Sequence, residues 1–224
     1  MLLCTALVAG GAIFAATWPG FVPKRILVTG NARVSRSEIV ARAAVAPHIS
    51  MWLQSTHGMA ARIESIPYVG SVRISRVPPA TIRIAVSERR PFAVVRSGDE
   101  SVLVDRALRV LEPASGAETG PVFIVRPGLN LAPGTFIATG EAVELRDAYD
   151  ALTARHMQPV RLGYDRFGGL VVTLRSGLRL LLGSRDDFDR KLTLAGAIMA
   201  QVIGRQRVAA LDLRAPSAPV LVYR

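Results

Sequence analysis

A single cysteine, Cys4, lies in the first apolar stretch of this 224-residue chain, which excludes an intrachain disulfide and any cysteine-based metal site. An exported form must then be held by packing alone, and a chain of this length buries enough to manage it. Histidine is nearly as scarce. His48, His57 and His156 show neither an HExxH pattern nor a paired metal spacing. There is no GxSxG elbow, no P-loop and no GxGxxG turn, so acyl transfer and phosphate binding find none of their recognisable parts. These absences leave no catalytic residue, no cofactor site and no small-molecule substrate to assign.

Lysine occurs only at Lys24 and Lys191, yet the formal net charge is +11, from 28 basic against 17 acidic residues. The basic residues are therefore almost all arginine. They are scattered between apolar residues, with no run longer than Arg89-Arg90, as on the outer face of strands. Aromatic residues make up 6% of the chain. Nucleic-acid binding needs a clustered basic stripe interleaved with stacking aromatics, and the sequence has neither. Half of the residues are apolar and a fifth charged, which supports folded cores and excludes disorder. The length suits two soluble units and an anchor.

Residues 1–18 carry no charged side chain, and the apolar text runs on to Val22 before Lys24 and Arg25. That is near the roughly 20 residues a helix needs to cross a bilayer. Trp18 falls where an interfacial aromatic belongs, and Pro19-Gly20 ends the helix. A cleaved signal peptide would need a basic start, which is missing, and Ala15-Ala16 is a loose match to a cleavage site. Residues 1–22 are thus expected to be a transmembrane anchor. The basic pair comes after the span, whereas the positive-inside rule looks for it on the cytoplasmic flank. This predicts a basic cytoplasmic tail encoded in frame upstream of Met1, which a stop codon there would refute.

Between residues 23 and 91 the pattern reads β-α-α-β-β. Ile26 and Val28 share a face of a short strand, and Gly30-Asn31 closes it. Ser35 to Glu38 fits a capping box opening a helix, with Val34 and Ile39 at the staple positions. Met59, Ile63 and Ile66 share one face of a second helix, which Pro67 stops. Val72 and Ile74 alternate with Ser71, Arg73 and Ser75; after Val77-Pro78-Pro79, Ile82, Ile84 and Val86 alternate with Arg83 and Ala85. Residues 92–224 change to short β runs at 92–96, 102–105, 122–126 and 160–164, and a hairpin of 170–175 and 178–182 turning at Ser176-Gly177. An antiparallel sheet is expected. One helix carries Leu145, Tyr149 and Leu152; a longer one carries Phe188, Leu192, Ala195, Met199 and Val202, with Gly204 as its C′ residue. Asp186-Asp187 suits the positive end of that helix. The fold class is α+β throughout.

The order of short motifs carries a resemblance. Ile26-Leu27-Val28-Thr29-Gly30-Asn31, then Ile66-Pro67-Tyr68-Val69, then Val72-Arg73-Ile74-Ser75-Arg76-Val77-Pro78-Pro79, closing on Val86-Ser87-Glu88-Arg89-Arg90-Pro91, resembles the POTRA domain of the FtsQ/DivIB cell-division family. The hairpin ending Leu181-Leu182-Gly183, the long helix and Leu211-Asp212-Leu213-Arg214 resemble that family's β-domain. The resemblance implies an anchor over 1–22, a POTRA domain over 23–91 and a β-domain over 92–224. It also implies a periplasmic scaffold at the division septum, binding FtsB and FtsL and contacting FtsW and FtsI. Its POTRA motif falls on Gly30, Asn31, Pro67, Arg76, Pro79, Glu88, Arg89 and Pro91, which are expected to encode fold more than a site.

Two alternatives are a POTRA-bearing protein of outer-membrane transport and an anchored hydrolase. A barrel would need many strands of about ten residues alternating apolar and polar, and the helix near 186–203 has no place in it. At the C-terminus the family text weakens, since several relatives place an aromatic residue after the arginine where this chain has Ala215. A terminal strand often lies at a sheet edge, and Pro216 and Pro219 confine pairing to the residues after them. A partner strand is therefore expected beside Val220, Leu221, Val222 and Tyr223, with Arg214 available to an acidic partner side chain.

Overall fold

The computed structural model describes residues 10, 11, 14, 17–116, 120–137, 139–202 and 208–223. Contacts divide the chain into two units, Met1–Arg90 and Pro91–Arg224. Most of the expected membrane span, and Gly204, lie outside the described residues. Among those described, no helix is long and apolar enough to cross a membrane.

In the first unit the elements follow the predicted order: β1 (Arg25–Thr29), α1 (Arg36–Ala43), α2 (Thr56–Glu64), β2 (Val69–Val77) and β3 (Thr81–Glu88). Helix α1 starts where the Ser35 hydroxyl accepts the Glu38 N–H at 3.1 Å, and ends on Ala44 in the left-handed region at φ 47°. Ser55 caps α2 in the same way, accepting from the Gly58 N–H. The three-stranded sheet has the order β1-β3-β2, with β1 parallel and β2 antiparallel to β3. Strand β3 is thus central. Its Ile82, Ile84 and Val86 form one core with Ile39 of α1 and with Met59, Ile63 and Ile66 in and after α2. The helical face expected of Met59, Ile63 and Ile66 is the buried one.

The second unit is built on a nine-stranded sheet of order β12-β11-β10-β9-β8-β7-β4-β5-β6. Its elements are β4 (Pro91–Ser97), β5 (Glu100–Asp105), β6 (Val110–Pro113), β7 (Val122–Val125), α3 (Gly140–Ala154), β8 (Pro159–Tyr164), β9 (Leu170–Leu174), β10 (Arg179–Gly183), α4 (Phe188–Val202), β11 (Val208–Asp212) and β12 (Val220–Tyr223). The hairpin read from Ser176-Gly177 is present, with Gly177 at φ 84° between the antiparallel β9 and β10.

The sheet is mixed, which corrects the antiparallel expectation. Strand β7 runs parallel to both β4 and β8, and β10 runs parallel to β11. The reason is topological. Helix α3 stands between β7 and β8, and α4 between β10 and β11, so each crossover brings the next strand back in the same direction. Strand β6 was not anticipated. Both helices pack on the sheet: Leu145 and Leu152 of α3 and Leu192 and Ala195 of α4 are fully buried in a core shared with Phe123, Val172 and Leu180. Tyr149 is half-buried, in edge contact with Phe92 and Phe123.

Candidate partner-binding edge

A strand at the end of a sheet keeps one side of its backbone unpaired, which is where another chain can add. The nine-stranded sheet ends in β6 and β12, and the two ends are finished differently. Beside β6 the chain folds back on itself: Val110 N–H donates to Thr135 O at 2.8 Å, Gly134 N–H to Val110 O at 2.8 Å, and Ile137 N–H to Leu108 O at 2.9 Å. An isolated bridge joins Arg109 to Phe136. No such segment covers β12 among the described residues, where its only strand partner is β11.

Strand β12 is also apolar where it meets water. Val220, Val222 and Tyr223 are 56%, 45% and 53% exposed, and Leu221 is half-buried. Its register on β11 sets Val220 opposite Asp212, Leu221 opposite Leu211, Val222 opposite Ala210 and Tyr223 opposite Val208. The first sheet's edge strand β2 differs in its polar face, since Ser71, Arg73 and Ser75 are exposed along it. Charged and small polar side chains of this kind blunt an edge.

Arg214 stands at the turn that leads into β12. Its guanidinium is engaged by Asp212, with Nε 3.0 Å from both carboxylate oxygens and Nη2 2.5 Å from Oδ2. The Arg214 N–H also donates to Asp212 Oδ1 at 3.0 Å. These hydrogen bonds hold the Asp212 carboxyl below its ordinary range, against the opposing effect of burial, and raise the Arg214 guanidinium. The arginine stem lies over Gly183 at the end of β10, where a Cβ would stand 3.0 Å from Arg214 Cγ. Arg214 therefore joins the end of β11 to the end of β10. The pair had a sequence signal, because residues two apart on an extended chain share a face.

Lys191 was not singled out from sequence. It is 2% exposed, and its ammonium donates to Leu182 O at 2.9 Å and Ser184 O at 2.8 Å. It thus ties α4 to the chain leaving β10. Tyr164 on β8 similarly donates to Glu144 Oε2 of α3 at 2.7 Å; burial and then that carboxylate push its phenol above the ordinary value.

The motif residues of the first unit act on its fold. Gly30, at φ +83°, passes so close to β3 that a Cβ would collide with Val86 O. Asn31 Nδ2 donates to Val34 O at 3.0 Å. Pro67 follows α2, and Pro79 closes a cis Pro78–Pro79 bond before β3. Arg76 Nε donates to Met51 O at 2.6 Å and Nη2 to Gln54 O at 2.7 Å. Arg89 Nε donates to Val69 O at 3.1 Å, and Pro91 opens β4.

Glu88 does more than carry a surface charge. Its carboxylate accepts the backbone N–H groups of Ala32, Arg33 and Val34 at 2.8–3.1 Å, so the last residue of β3 fastens the loop between β1 and α1. Burial acts to raise its carboxyl, and the N–H groups of Arg33, Val34 and Ala32 together outweigh it and set the group below its ordinary range. The stabilisation is therefore present in full above the ordinary glutamate value of about 4.3 and is lost as pH falls through the lower folded value. Glu88→Gln is expected to cost about 1 kcal/mol at neutral pH, the scale of a lost helix cap. The deficit closes as acid titrates the parent, which urea unfolding of both chains across pH 3–7 would measure.

Among the described residues no group of three His, Cys, Asp or Glu side chains is gathered to hold a metal ion. The comparisons with known proteins agree with the architecture. Residues 21–89 match the POTRA domain of FtsQ type, and residues 93–214 match the C-terminal domain described as cell division protein FtsQ/DivIB. Relatives named cell division protein FtsQ include one from Chloroflexus aurantiacus, 26% identical over 89% of this chain and 76% of its own length. Another, from Novosphingobium aromaticivorans, is 29% identical over 94% of this chain and 64% of its own. A third, from Streptomyces venezuelae, is 27% identical over 95% and 79%. With one family domain matched over each of its two units, and the second alone covering more than half its length, the chain belongs to the FtsQ/DivIB family of cell-division proteins.

Proposed function

We propose that the chain is a non-catalytic, single-pass scaffold of the divisome. Residues 1–22 anchor it in the inner membrane, its POTRA and β-domains lie in the periplasm, and it works at the septum. FtsB adds a strand along the outer side of β12, FtsL accompanies FtsB, and FtsW and FtsI are brought to the same place. The observation that carries this reading is the asymmetry of the nine-stranded sheet: β6 meets its own chain at Val110, while the apolar strand β12 faces water as the last strand. Strand addition supplies affinity through the backbone and specificity through alternate side chains. An anchor confines the partners to two dimensions and raises their effective concentration.

Arg214 enters this reading as part of the turn before β12 and not as a free cation, since Asp212 engages it. The match over residues 93–214 is to the FtsQ/DivIB C-terminal domain, which leaves the outer-membrane transport alternative without support. A fluorescent fusion of the full chain tests the scaffold role. A midcell band in dividing cells is expected, and uniform envelope fluorescence would overturn it.

A further inference from the structure

The loop between α1 and α2 is held from inside and apolar outside. Gln54 is buried; its Oε1 accepts the Ala46 N–H at 2.9 Å, and its Nε2 donates to Ala46 O at 3.0 Å and Ile49 O at 2.7 Å. Arg76 reaches across from β2 to the carbonyls of Met51 and Gln54. Met51, 1% exposed, plugs the loop into the core. The backbone is fixed this way, and the Arg76 guanidinium stands 5.6 Å from the centre of the Trp52 ring. Yet Ile49, Trp52 and Leu53 are apolar and stand 47%, 44% and 59% exposed. Loops on a protein surface are ordinarily polar, and a cluster of large apolar residues in water marks a surface that meets something else.

The occupant is indicated by what the loop is joined to. Phe21 O accepts the Met51 N–H at 2.9 Å, and the Phe21 ring meets Trp52 edge-on at 6.1 Å and Trp18 at 5.2 Å. Trp18 is itself 49% exposed and lies near the end of the uncharged stretch that runs to Pro23. The apolar surface of the loop is thus continuous with the end of the anchor segment. Lys24 and Arg25 come next at exposed positions. Tryptophan beside such a segment, with basic residues close behind, is the composition of a bilayer interface.

We infer that Ile49, Trp52 and Leu53, with Trp18 and Phe21, form a second membrane contact that lies in the headgroup region of an anionic bilayer and sets the POTRA domain down on the membrane surface. The inference rests on the anchor reading of residues 1–22 and adds to it a peripheral site on a folded loop. Insertion of this kind reaches roughly 5–10 Å, to the boundary of headgroups and acyl chains.

The test uses the full chain reconstituted in vesicles of phosphatidylglycerol and phosphatidylcholine, the latter brominated at shallow or at deep acyl positions. The chain has two tryptophans, so Trp18→Phe leaves Trp52 as the sole reporter and Trp52→Phe leaves Trp18. The expected result is loss of Trp52 emission with shallow bromines, a smaller loss with deep ones, and protection from acrylamide. Bromine quenching of Trp18 with none of Trp52 would overturn the loop contact while sparing the anchor. If neither is quenched, the anchor reading fails and the inference with it. Trp52 shielded from acrylamide but blind to bromine would show a protein surface over the loop and overturn the lipid assignment.

Discussion

Ile84→Asp unfolds the first unit while the second keeps its own thermal transition. Ile84 is fully buried at the middle of the central strand, opposite Val28 on one side and Ile74 on the other. Among the described residues of this unit no basic side chain is buried to that depth, and α1 and α2 seal the face above it. Moving an unpaired charge into such a place costs several kcal/mol, and a small unit has only about 5 kcal/mol to lose. The expected loss is about 4 kcal/mol or more, enough to leave the unit unfolded near 37 °C. Limited proteolysis of the full chain in detergent measures it. Cleavage confined to residues 23–90 is expected, and an unchanged digestion pattern would remove Ile84 from the core.

Removing residues 220–224 is expected to abolish capture of the periplasmic segment of FtsB while the first unit stays folded. The truncation also uncovers β11, so a milder variant separates loss of the edge from damage to the sheet. Val220→Lys combined with Val222→Lys keeps the strand and places two charges along its exposed face. Both side chains are about half in water already, so the fold tolerates them, and lysine on an edge is a common means of discouraging strand addition. Capture by the immobilised full chain should weaken at least tenfold, about 1.4 kcal/mol. A truncated chain that captures FtsB with undiminished affinity would defeat the assignment of the edge.

Where structure is decided within a few residues, the sequence could be read. The Ser35 cap, the buried face of Met59, Ile63 and Ile66, the Ser176-Gly177 hairpin and the terminal strand after Pro219 all depend on local spacing or turn chemistry. Where it is decided by partners far along the chain, the reading failed. The three parallel pairings of the nine-stranded sheet have no local signature, because alternation along a strand names its faces and not its neighbours. Strand β6 is four residues ending in Pro113, too short to separate from a loop. Glu88 finds its N–H donors 54–56 residues away, and Arg76 its carbonyls 22–25 residues away. At the candidate edge, the position of the terminal strand was legible in the sequence, whereas the pairing of Arg214 with the carboxylate two residues back belongs to the turn geometry that only the structure displays.

The unequal finish of the nine-stranded sheet bears on stoichiometry. A sheet with two bare ends can be extended from either; here Val110, at the start of β6, is already hydrogen-bonded to residues 134 and 135, whereas β12 has no strand on its outer side among the described residues. The place beside β12 holds one strand. A second copy of the chain approaching by the same edge competes with the partner for that place instead of joining it. On the proposed reading, the expected product at this surface is a one-to-one pair, whichever component is in excess.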